Sequence, residues 1–124
     1  MKTWILIAAG LNALSLHAVD FNAMVLEQIR GMPHGGGYAV TREAQGALVG
    51  ATKPTADSME ISAAAATPSF CSGATYLVFL KTLKAAESGG HIPRLGALWN
   101  SLAPRSAPDG VGIWGRWNAN GPGA

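Results

Sequence analysis

The feature that most constrains this chain is an apolar segment bracketed by helix punctuation. Ala74-Thr75-Tyr76-Leu77-Val78-Phe79-Leu80 is apolar nearly all round a helical wheel, with Pro68-Ser69 before it and Gly89-Gly90 after it. Ser69 is placed to accept from the amides of a first turn, and the glycines supply a stop. The spacing therefore predicts a helix from Phe70 to about Ala86. Lys81 and Lys84 in its second half suit the negative end of the helix dipole. A helix apolar on most of its circumference belongs in the middle of a fold. The rest of the chain has to cover it.

The covering elements can be read in order. Asp20 is a good N-cap, and Phe21, Met24, Val25, Gln28 and Ile29 fall on one side at helical spacing until Gly31 and Pro33. Tyr38-Ala39-Val40 reads as a short edge strand or as the approach to the next helix. Thr41 caps a second helix through Gly50, with Ala44, Ala47, Leu48 and Ala51 along one face. Lys53 to Asp57 reads as a turn, and Met59-Glu60-Ile61-Ser62 alternates like a short strand. Ala63 to Ala66 is a connector, because Thr67-Pro68 disfavours helix just before the proline. Arg94 to Leu102 reads as an amphipathic helix presenting Leu95, Leu98, Trp99 and Leu102. After Pro104 the chain reads as irregular, and Ala119 to Ala124 as loop. The expected class is α+β, predominantly helical.

The first eighteen residues read differently. Lys2, the apolar run Trp4 to Leu11 and the small residue Ala18 make the order of a secretory signal peptide. The run is short and interrupted by Asn12, a poor match to a bilayer core of about 30 Å. Residues 19–124 are then expected to form one domain of an exported protein with no stable membrane span. Apolar residues are 48% of the chain and charged ones 13%, a balance that suits a packed core rather than disorder. The net charge is +2, and the basic residues are scattered, so no nucleic-acid footprint is expected. Three widely spaced histidines and one cysteine give no metal-ligand spacing.

Several motifs have bland readings. His34-Gly35-Gly36-Gly37 lacks the Gly-x-Ser-x-Gly elbow that a lipase oxyanion loop needs, so it reads as a flexible turn. Trp114 and Trp117 could stack on sugar or fill a core. Cys71 is more informative. An odd cysteine in an exported chain forms an intermolecular bridge or stays a free thiol. At the start of a helix, unpaired amides and the positive dipole end favour a thiolate and can later donate to an oxyanion.

Ser69-Phe70-Cys71-Ser72-Gly73-Ala74-Thr75-Tyr76-Leu77-Val78-Phe79 resembles the nucleophile segment of NlpC-type cell-wall cysteine peptidases. Cys71, Ser72 and Gly73 match the Cys-Ser-Gly that opens a buried apolar helix in that family, while Phe70 stands where the family commonly carries Asp. The resemblance implies a papain-like fold of helices packed on an antiparallel sheet. It also implies Cys71 as the catalytic nucleophile, peptidoglycan stem peptides as substrate and no cofactor.

The resemblance further implies a histidine on a later strand. The only downstream histidine is His91, beyond a helix about 27 Å long, and His34 comes before it. The chain is therefore expected to be the N-terminal, helical part of such a domain, with most of its sheet missing and ending before its base. The alternative is a small secreted, non-catalytic binding domain for cell-wall glycan or a protein partner, using Trp114 and Trp117. A plainer reading is a helical domain that docks in a larger assembly.

Overall fold

A computed structural model describes residues 18–105 and 110–119. The expected signal peptide falls mainly on residues 1–17, outside the described residues, as does the tail after Ala119. The fold is mostly helical with one small antiparallel sheet. In chain order the elements are α1 (Phe21–Arg30), α2 (Arg42–Ala51), β1 (Thr52–Pro54), β2 (Met59–Ile61), a single 3-10 turn (Ala63–Ala65), α3 (Cys71–Ser88), α4 (Leu98–Leu102) and α5 (Gly112–Ala119).

The two local caps form as expected. Asp20 Oδ1 accepts from Ala23 N at 3.0 Å and Thr41 Oγ1 from Ala44 N at 3.2 Å, each satisfying an amide that the helix leaves unpaired. Glu43 in the first turn of α2 is held below the usual carboxylate range, first by its own backbone amide and then by the Thr41 hydroxyl. Ala44, Leu48 and Ala51 of α2 are buried. On α1 the covered stripe is narrower than the spacing suggests. Met24, Val25 and Gln28 are half-buried, whereas Phe21 and Ile29 are exposed.

α3 is the centre of the molecule, packed against α1, α5 and β2. Of its eighteen residues only Thr75 and Ser88 are exposed. Several of its polar side chains reach other elements. Lys84 Nζ donates to the Met59 carbonyl and to Ser58 Oγ, which ties the hairpin to the helix. Glu87 accepts from Leu95 N at 2.6 Å and from Trp99 Nε1 at 3.1 Å, so one carboxylate fixes the chain leaving the helix. Tyr76 is fully buried and donates its hydroxyl to the Leu102 carbonyl at 2.6 Å.

Four expectations need correction. Ser69 does not cap α3. Its backbone is drawn into a parallel bridge with Tyr38, Ser69 N donating to Gly37 O and Ala39 N to Ser69 O, and extended Phe70 becomes the N-cap. Tyr38–Val40, left open between an edge strand and the approach to the next helix, leads into α2 with that single bridge. Lys53 and Pro54 belong to a strand rather than a turn. Thr52, Lys53 and Pro54 pair with Ile61, Glu60 and Met59, and Pro54 stands at the strand end where its missing N–H costs nothing. The helix expected from Arg94 shrinks to Leu98–Leu102, because Gly96 adopts φ +52°; Leu98 is then exposed while Trp99 and Leu102 are buried. The stretch after Pro104 is not irregular throughout, since α5 carries both tryptophans and ends at Ala119.

Burial pushes the Tyr76 phenol up to about 12. An unfolded tyrosine releases its proton near pH 10, so the folded chain holds a proton that the unfolded one loses. Stability is complete below about pH 10 and falls as pH rises through about 12. Tyr76→Phe should cost about 1–3 kcal/mol at neutral pH by leaving the Leu102 carbonyl unpaired, and should flatten this alkaline decline; urea unfolding at about pH 7, 9 and 11 measures both. Gly46 and Gly50 of α2 are exposed, and a Cβ at either meets nothing within 4 Å. Gly46→Ala and Gly50→Ala should each stabilise by about 0.5–1 kcal/mol in the same assay.

Candidate functional site

Cys71 is the first residue of α3, and its thiol is free and half-buried. No side chain caps this helix. Helix geometry leaves the amides of Cys71, Ser72 and Gly73 without an intrahelical acceptor, and the first ladder bond runs from Ala74 N to Phe70 O at 2.8 Å. Donors are thus grouped around the thiol, an arrangement that can receive a developing oxyanion. The Cys71 carbonyl is occupied on the other side by Thr75 Oγ1 at 3.0 Å.

The two residues after Cys71 are held by packing. Ser72 is buried, donates from Oγ to Asn118 Oδ1 at 2.8 Å and accepts at its carbonyl from Trp117 Nε1 at 3.3 Å. Gly73 is buried where side chains converge, and a Cβ there would lie 3.2 Å from Phe70 Cζ and 3.3 Å from Leu48 Cδ2. Phe70, the departure from the family pattern, lies against Gly73 and packs on Trp114 with ring centroids 6.3 Å apart. The Cys-Ser-Gly segment therefore has a structural rationale of its own. Ser72 joins α3 to α5, and Gly73 lets α2 and Phe70 approach.

A cleft of about 430 Å³ runs beside this turn, between the end of α1, the glycine loop and α3. Ala74, Thr75 and Val78 line it, and with Cys71 they occupy positions i, i+3, i+4 and i+7 of one helix side. Cys71 lies one turn before its nearest lining residues on α3. Met32, Gly36, Gly37 and Ser69 contribute from the other walls, and no charged side chain lines it.

The histidines are not brought to the thiol. His34 is exposed between the α1 end and Gly35, whose φ is +78°. His91 is exposed at the opposite end of α3, about 27 Å of helix away, with its ring against Gly89. Among the described residues no hydrogen bond links either ring to Cys71, and no cluster of three His, Cys, Asp or Glu side chains could hold a metal.

The tryptophans left open by the sequence both pack on Tyr76. Trp114 is buried, its ring 5.0 Å from that of Tyr76, so its faces are used inside the protein. Trp117 is half-buried, stacks on Phe79 at 5.1 Å and meets Tyr76 edge-on at 5.2 Å. Asn118 carried no signal in the sequence, since its partner Ser72 lies 46 residues earlier.

No protein-family model matches the chain, and neither a curated protein nor a solved structure matches it significantly. Among the described residues no helix is long and apolar enough to cross a membrane.

Gly73→Ala sets a helix-propensity gain of about 1 kcal/mol against overpacking of about 1–3 kcal/mol. Both close neighbours are buried side chains, so overpacking wins. The thermal midpoint of Gly73→Ala should fall, opposite in sign to the α2 substitutions.

Proposed function

We propose that this chain belongs to an exported cysteine amidase or endopeptidase acting on peptidoglycan stem peptides, with Cys71 as nucleophile and α3 as the nucleophile helix of a papain-like, NlpC-type domain. The observation that carries the reading is the position of Cys71. A free thiol opens the central helix of the fold, beside three amides without an intrahelical acceptor and one turn from an uncharged cleft. The Cys-Ser-Gly resemblance and the signal-like residues 1–18 add the substrate class and the compartment.

In the proposed reaction the Cys71 thiolate attacks the carbonyl carbon of an amide bond. The carbonyl π electrons move to oxygen, and the amides at the start of α3 donate to that oxyanion. Collapse breaks the C–N bond, the amine leaves with a proton from the general acid, and water then hydrolyses the thioester to restore the thiol. The base and acid is a histidine supplied from outside the described residues.

The test is digestion of purified peptidoglycan, with new amino groups as readout, in the presence and absence of imidazole as a diffusible base. Amine release that rises with imidazole and is lost in Cys71→Ser is the expected result. No release with imidazole, or equal release from Cys71→Ser, sinks the proposal.

A further inference from the structure

Three threonines on or next to the helices of this protein satisfy their hydroxyls at home. Thr52 donates to Leu48 O, Thr75 to Cys71 O and Thr82 to Val78 O, each to the carbonyl four residues back. Ser72 differs. It is the second residue of α3, so the residue four before it, Pro68, lies outside the helix. Its buried hydroxyl instead reaches Asn118 Oδ1 on α5 at 2.8 Å, and its carbonyl takes the Trp117 indole N–H at 3.3 Å. Two consecutive residues of one helix thus hold the side chain and the main chain of the residue next to Cys71. Trp114, one turn earlier on α5, packs against Phe70 on the other side of Cys71.

We propose that Asn118 and Trp117 are positioning residues, which act through Ser72 to hold the uncapped first turn of α3 and so set the presentation of the Cys71 thiol. The inference rests on the reading of Cys71 as nucleophile and adds that α5 is part of the same site. A first turn without a side-chain cap frays readily. Here the restraint that a cap would give comes from a different helix, which leaves the amides around the thiol free of a capping side chain. The arrangement holds the turn without occupying the donors that an oxyanion needs.

The test compares alkylation of Cys71 in the folded full chain by a small reagent, iodoacetamide, and a bulky one, fluorescein maleimide. Each rate is taken relative to wild type, and the readout is the bulky-to-small ratio. A change in thiolate population affects both reagents and largely cancels, whereas a loosened turn admits the bulky reagent selectively. Loss of one hydrogen bond should raise the ratio about fivefold in Ser72→Ala and in Asn118→Ala. The double variant should show no more than either single change, because both remove the same bond. Asn118→Asp retains the acceptor and should stay near the wild-type ratio.

Trp117→Phe retains an aromatic ring but removes the indole donor, and should raise the ratio as well. It keeps the experiment decisive if Asn118→Ala does not fold. An unchanged ratio in Ser72→Ala and Trp117→Phe, or a rise in Asn118→Asp equal to that in Asn118→Ala, overturns the proposal and leaves these residues a packing role. Peptidoglycan digestion is scored separately. If Cys71→Ser digests as well as wild type, the hydrolase reading fails while the ratio still reports on the turn.

Discussion

A tyrosine ring with no exposed surface brings one polar atom into the core, and that atom must be paired. Tyr76 meets the requirement by donating to the Leu102 carbonyl, which fixes the end of α4 beside the middle of α3. The ring around that hydroxyl has Phe79, Trp114 and Trp117 as neighbours, at centroid distances of 5.0 to 5.5 Å. Two of these three belong to α5. The placement of α5 therefore follows from the packing of its two tryptophans on the Tyr76 ring, and the partners of Ser72 follow from the placement of that helix.

The two ends of α3 are treated differently. Near its C-terminus Lys84 and Glu87 reach out to the hairpin and to the 95–99 segment, so the helix gathers its surroundings through charged side chains. At its N-terminus no charge is involved. A serine hydroxyl, an amide side chain and an indole join two helices there, and no side chain caps the helix.

What the sequence made legible was local. Asp20 and Thr41 cap the helices they precede because a cap needs only the next three residues. The central helix was visible from its apolar circumference, and Cys71 from its place at the helix start. What stayed hidden depends on distant partners. Ser69 has a good capping side chain, but its backbone pairs with Tyr38, thirty-one positions earlier. α5 contains Gly112 and Gly115, poor helix formers, and exists because Trp114 and Trp117 gain burial against Tyr76. Gly96 cuts short a helix that its neighbours would have supported. The thiol was legible as a residue type at a position, while the residues that hold its turn were not.

The Ser72–Asn118 bond closes a span of 46 residues, and this bears on how the protein comes into being. A chain made from its N-terminus completes Cys71 well before Asn118 is added. During that interval α3 has its apolar flank open and the serine beside its thiol unpaired. The local caps of α1 and α2 and the hairpin can already form, since they need only short loops. The turn that carries the thiol gains its contacts with Asn118 and Trp117 only when α5 docks, later than those local elements. A nascent or partly unfolded chain would thus carry the cysteine before the contacts of α5 surround the serine beside it.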